Sequence, residues 1–146
     1  MSEREPAATG IEIWVRSTDI DGDGIVNNSR FFQFFEQARL EHLTRLRVVV
    51  RPRPPGVADR AFTIAETTCR FLAPLRHRDV VRVEAWTSSV GRRSFGLAYR
   101  ITRPADGTVC ATGSSAQVWL DADGRASELP PDVRAALEAS VVASEA

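Results

Sequence analysis

Between Ile11 and Ser17 apolar and polar positions alternate, with Ile11, Ile13 and Val15 set against Glu12, Trp14 and Arg16, a spacing that predicts a half-buried strand over 11–17. Past an Asp- and Gly-rich turn the period changes. Through "NSRFFQFFEQARLEHLTRL", residues 28–46, Phe31, Phe34, Phe35, Ala38, Leu43 and Leu46 recur at steps of three and four, and Arg30, Gln33, Gln37 and Arg45 fill much of the rest. This is the pattern of an amphipathic helix, with Asn28 placed as its N-cap. Phe32 lies off the main stripe, so the helix is expected to be covered on more than one side. The Pro-rich "RPRPPG" at 51–56 cannot continue it. Strand-like segments follow at 61–71, 79–90, 93–103 and 108–120, separated by turns carrying Pro74, Gly91 and Asp106-Gly107. Turns this short imply antiparallel neighbours. A closing segment from Pro131 to about Ala143, with Val133, Leu137 and Val141 on one face, predicts a small helix packed at the edge.

The order is strand, long apolar helix, four antiparallel strands, small helix. It predicts an α+β domain in which one sheet wraps a single helix, the hotdog arrangement. A chain of 146 residues is the size of one domain, expected over 11–146 behind a polar, disordered segment at 1–10. With 19 basic and 19 acidic residues the formal net charge is zero, which argues against a general nucleic-acid or membrane-surface partner. Every basic side chain apart from the histidines is an arginine, the better group for gripping phosphate through paired N–H donors. Cys69 and Cys110 sit in strand-like stretches without C-x-x-C spacing and fit reduced, buried thiols. The polar N-terminus "MSEREPAATG" has neither a signal-peptide core nor an anchor, and no apolar run approaches a membrane span; a soluble, cytoplasmic protein is expected.

"DIDGDGIVNN", residues 19–28, opens like a calcium loop, with Asp19, Asp21 and Asp23 at positions one, three and five and Gly24 at six. Position twelve, where a bidentate Glu belongs, is Arg30, and the preceding segment reads as a strand rather than a helix. No metal is expected there. A second fragment, "DADGR" at 121–125, reads as a turn between strands. A serine-hydrolase site is improbable as well: there is no G-x-S-x-G elbow, and His42 and His77 are the only histidines, one in the helix and one in a loop.

The segment "TDIDGDGIVNNSRFFQFFEQAR" closely resembles the signature of the hydroxybenzoyl-CoA thioesterase family, in which an Asp-x-Asp-x-x-Gly-x-Val stretch precedes an aromatic-rich helix with a Glu-x-Ala-Arg-like end. "FLAPLRHRDVVRVEAW" resembles the family's Pro-then-Asp strand entry and "GRRSF" its basic turn, so the likeness runs from about Ile11 to Leu120. The resemblance implies hydrolysis of an acyl thioester, carried by coenzyme A or by an acyl-carrier protein, with no cofactor. It implies Asp21 as the catalytic carboxylate, nucleophile or general base, and the backbone N–H at Asn28 as the donor that polarises the thioester carbonyl. Asp19 and Asp23 are read as structural caps. Glu36, two turns into the helix, is an alternative base whose simpler role is an ion pair. Arg92 and Arg93 stand where the family meets the phosphates of coenzyme A. A homodimer joined edge to edge through its sheets, or a homotetramer, with the site at the dimer seam, is likewise implied. A hotdog protein that binds acyl thioesters without hydrolysing them stays open as the alternative.

Overall fold

Period-two alternation builds five antiparallel strands in the computed structural model, which describes residues 7–50, 55 and 61–142. They are β1 (Thr9–Trp14), β2 (Phe62–Phe71), β3 (Val80–Val90), β4 (Ser94–Arg103) and β5 (Thr108–Trp119), ordered β1-β3-β4-β5-β2 in one sheet. One face of that sheet is apolar: Val81, Val83 and Ala85 of β3 and Phe95, Leu97, Tyr99 and Ile101 of β4 are buried. Their neighbours Arg82, Glu84 and Arg100 belong to the opposite face, as a pleat requires.

Across the buried face lies α1 (Asn28–Arg45), whose Phe31, Phe34, Phe35, Ala38, His42 and Leu43 are buried at helical spacing. Phe35 stacks on Tyr99 with ring centroids 4.6 Å apart and sits over Gly113. A side chain at Gly113 would press into that ring and come within 2.6 Å of the Thr68 carbonyl oxygen, so glycine is what lets helix and sheet approach here. The short α2 (Pro131–Ala139) closes the far end of β3 with Val133 and Leu137. The α+β hotdog arrangement expected from the order of elements is present.

Two chains of polar groups run through this core with every buried side-chain atom satisfied among the described residues. In one, Arg45 Nε donates to Thr9 Oγ1 (2.8 Å), Thr9 Oγ1 lies 2.9 Å from His42 Nδ1, and His42 Nε2 lies 3.0 Å from Thr87 Oγ1. Thr87 and Ser140 share a 2.7 Å bond, and Ser140 donates its single hydroxyl proton to the Leu137 carbonyl (2.8 Å). All five bonds form at once only if Thr9 donates to Nδ1 and the imidazole keeps its proton on Nε2. Burial, reinforced by the charge of Arg45, depresses His42 to about 4 and leaves it neutral. In the other chain Arg39 donates to Tyr99 (3.2 Å), Tyr99 pairs with Ser115 (2.5 Å), and Ser115 donates to Gln117 Oε1 (2.5 Å).

Several expected boundaries shift. β1 begins at Thr9, so the last residues assigned to a disordered N-terminus are ordered, and it ends at Trp14, with Ser17, expected to close the strand, opening a 3-10 turn over Ser17–Asp19 instead. The N-cap of α1 is Asn27, not Asn28: its side chain accepts from the Ser29 amide at 3.0 Å, and Asn28 is the first helical residue. α2 ends at Ala139, and Val141, expected on its apolar face, is 40% exposed and pairs with Thr87 at the sheet edge. Cys69 is half-buried where a buried thiol was expected, whereas Cys110 is buried; both are free. Cover on α1 is one-sided within a chain, since Leu40 is 43% exposed and Phe32 only partly buried. Residues 1–6 and, apart from Pro55, the connector at 51–56 lie outside the described residues.

Candidate active site

The turn between β1 and α1 is a small closed hairpin. Its two sides are joined by an Ile20–Val26 bridge, by Asp21 N donating to Ile25 O (2.9 Å) and by Asn27 N donating to Asp19 O (2.9 Å). Gly24 sits at φ 81, a conformation that carries little penalty only without a side chain. Two further bonds dock the hairpin on the loop before β3: Val26 N to Leu75 O and Val15 N to Asp79 O, both 2.8 Å.

Asp19 anchors this turn from below. It is buried (1% exposed), accepts from the Arg16 amide at 2.9 Å, and meets the guanidinium of Arg16 at 3.2 Å and that of Arg30 at 3.9 Å. Burial alone would raise its pKa, but the hydrogen bonds from Arg16 and the charges of Arg16 and Arg30 outweigh it and hold the carboxyl below its ordinary value. The cap expected of Asp19 is not at α1: it caps the Arg16 amide of the 3-10 turn, and its ties to the two arginines were not anticipated. The Arg16-x-x-Asp19 spacing was the available signal.

Asp21 is half-buried. Its Oδ1 accepts from the Asp23 amide at 2.8 Å, forming an Asx-turn that fixes the side chain, while Oδ2 has no partner among the described residues. At the helix start, the four amides that α1 cannot satisfy internally divide unequally. Ser29 N is taken by the Asn27 side chain and Arg30 N by the Asn27 carbonyl (2.9 Å), but the amide of Asn28 meets no acceptor among the described residues. One hairpin therefore carries a carboxylate oxygen and a free N–H at the positive end of a helix dipole.

The other candidates fall elsewhere. Glu36 is 73% exposed and its nearest cation is Arg39 at 3.9 Å, the simple ion pair foreseen for it. Arg92 is held by Glu128 (Nη2–Oε1 2.6 Å), and that carboxylate is kept below its ordinary value by the Arg92 hydrogen bond first and, more weakly, by the nearby charge of Arg93. Both follow the end of β3, whereas the acidic hairpin abuts its start, where Trp14 pairs with Val80. An 11-residue strand puts these two places roughly 30 Å apart, so one chain does not bring Arg92 and Arg93 to Asp21. A shallow recess lined by Thr68, Cys69, Arg70, Thr112, Gly113 and Ser114 contains neither Asp21 nor Asn28. Among the described residues no helix is long and apolar enough to cross a membrane, and no cluster of acidic, His and Cys side chains has the makings of a metal site.

With that geometry in place, residues 15–137 match the model of the thioesterase-like superfamily, and the chain belongs to that family. The chain is 26% identical over 124 residues to the chloroplastic acyl-acyl carrier protein thioesterase ATL3 of Arabidopsis thaliana, covering 85% of this chain and 64% of that protein's length. Among solved structures, a thioesterase from Thermus thermophilus complexed with coenzyme A and Zn aligns with a TM-score of 0.76 and 29% identity, over 90% of this chain and 92% of that one. A thioesterase from Bacillus stearothermophilus, so described as a prediction, aligns with a TM-score of 0.81 over 94% of this chain and 99% of that one, at 24% identity.

Proposed function

We propose that this protein hydrolyses an acyl thioester, borne on coenzyme A or on an acyl-carrier protein, to the free acid and thiol. The observation that carries the reading is that one turn bears both the Oδ2 of Asp21 and the amide of Asn28, neither with a partner among the described residues. The Asn28 N–H, favoured by the helix dipole, donates to the carbonyl oxygen and stabilises the negative charge that develops on it. Asp21 either attacks the carbon itself, expelling the thiolate and leaving an acyl-aspartyl anhydride that water opens to the free acid, or draws a proton from an attacking water, after which the C–S bond breaks. In both cases the thiolate takes up a proton derived from that water, and either role uses an ionised carboxylate. Family membership and the coenzyme A complex of the Thermus relative support the substrate class.

The reading includes a dimer. β2 is a ten-residue edge strand whose side chains from Ala65 to Phe71 are mostly exposed, an edge that is best paired. Its Phe71 end lies beside the start of α1, with the Phe31 and Phe71 rings 5.1 Å apart. Its Phe62 end pairs with Trp119, whose amide donates to Arg93 O (2.8 Å). Antiparallel pairing of two β2 strands about a two-fold axis sets the Phe62 end of one protomer beside the Phe71 end of the other. One protomer's Arg92 and Arg93 then approach its partner's acidic hairpin.

Thiol release from short, long, branched and aromatic acyl-CoA and from acyl-carrier-protein thioesters tests the proposal. Turnover lost in Asp21→Ala and kept in Asp23→Ala is the expected outcome. Binding of the thioester with only background turnover, unchanged by Asp21→Ala, would instead identify a non-catalytic acyl-thioester binding protein.

A further inference from the structure

The loop Leu75–Asp79, "LRHRD", carries a second feature next to the hairpin. Its two ends are bonded to the turn that holds Asp21 and Asn28, through Val26 N to Leu75 O (2.8 Å) and Val15 N to Asp79 O (2.8 Å), and Arg78 N donates to Val15 O (3.2 Å). Between those bonds Arg76, His77 and Arg78 are exposed. Neither arginine side chain has a partner among the described residues. The nearby carboxylate of Asp79 is occupied by the Arg76 backbone amide (2.9 Å) and by the guanidinium of Arg103 (3.4 Å). Arg103 in turn is paired with Asp106 at 3.0 Å, so Asp79 and Asp106 are engaged by a different arginine.

The backbone adds an independent observation. Asp79 N donates to Arg76 O (3.0 Å), closing a four-residue turn, and its third residue, Arg78, stands at φ 73. Glycine fills the left-handed positions of the other turns, Gly24, Gly107 and Gly124. Arg47, the remaining exception, follows the C-cap of α1. An arginine at Arg78 tolerates a conformation that disfavours it, in a loop bonded to the candidate active site, and strained positions of this kind cluster at ligand sites.

We infer that Arg76 and Arg78 form an anchor for the phosphate of the pantetheine arm that carries the thioester, the phosphate shared by coenzyme A and by carrier-protein prosthetic groups. This rests on the thioesterase reading and deepens it. Two unneutralised guanidinium groups on a loop fixed to the hairpin meet the arm on the same chain that supplies Asp21 and the Asn28 amide. Arg92 and Arg93, a strand length away, are left to the partner's site and to the nucleotide that coenzyme A alone possesses.

Calorimetric binding of pantetheine, 4′-phosphopantetheine and coenzyme A to the full chain separates these contributions. The double variant Arg76→Gln/Arg78→Gly keeps the turn, since glycine suits the positive φ. It is expected to lose roughly tenfold or more of the preference for 4′-phosphopantetheine over pantetheine and to leave pantetheine binding unchanged. Arg92→Ala/Arg93→Ala is expected to lose only the further preference for coenzyme A. The inference is overturned if the first variant binds 4′-phosphopantetheine as tightly as the unaltered chain, if pantetheine binding falls equally, or if the unaltered chain prefers neither phosphorylated ligand. Phosphate-dependent binding that vanishes with Arg76 and Arg78, in a chain that turns over no thioester, would uphold the anchor and refute the hydrolase.

Discussion

Acidification should loosen the core through one side chain, His42. Its imidazole is fully buried and lies within 3.0 Å of a hydroxyl on each side, and among the described residues the charge that bears on it is that of Arg45, a cation already donating to Thr9. Adding a proton at Nδ1 removes the lone pair that receives the Thr9 hydroxyl and puts a second charge beside Arg45. The folded value of about 4 lies below the ordinary 6.5, so the unfolded chain holds the proton more tightly. Stability from this residue is therefore complete above about 6.5 and is lost as the pH falls to about 4. At about 1.4 kcal/mol per unit the whole window is worth about 3 kcal/mol, an upper figure because a loosened core lets water in. Urea unfolding followed by tryptophan fluorescence, from neutral pH down to about 4, reads this as the free-energy difference between the unaltered chain and His42→Gln. Carboxylates titrate alike in both and cancel, so the difference should change by most of that amount. A difference constant to within about 0.5 kcal/mol would refute a neutral, hydrogen-bonded His42.

Gly113→Ala should destabilise the fold by about 1–3 kcal/mol in the same unfolding assay, because the new methyl meets the Thr68 carbonyl oxygen and a Phe35 ring already stacked on Tyr99. Asn27→Ala should cost about 0.5–2 kcal/mol through loss of the helix cap, whereas Asn28→Ala, which removes an exposed side chain that caps nothing, should stay within about 0.5 kcal/mol.

Which of these features were legible in the sequence depended on how local their causes were. The α1 stripe and the alternation of β3 and β4 follow from spacing alone, and the buried sets Phe31/Phe34/Phe35/Ala38 and Val81/Val83/Ala85 are those a periodic reading picks out. The cap fell one residue early of expectation because Asn27 and Asn28 are both competent caps, and only the bend of the chain after Val26 chooses between them. The polar chain from Thr9 through His42 and Thr87 to Ser140 joins residues from distant parts of the chain, a pairing that no local window contains. At the candidate site the acidic turn and helix start were readable as a motif. That the amide left free belongs to Asn28, and that Arg92 and Arg93 lie at the other end of the sheet, required the hydrogen bonds and the strand order.

The chemical work proposed for the backbone N–H at the start of α1 can be isolated by a substitution that removes this donor, read beside one that removes only the side chain. Asn28 is the first residue of the helix, the position at which proline is best tolerated, and Asn27 before it has φ −59 and ψ 133, a conformation compatible with a following proline. Steady-state thiol release by Asn28→Pro, beside Asn28→Ala and with folding checked by circular dichroism, measures the contribution of that amide. The expected outcome is a kcat lowered roughly a hundredfold to a thousandfold in Asn28→Pro and little changed in Asn28→Ala. A folded Asn28→Pro enzyme that turns over as fast as the unaltered chain would contradict it.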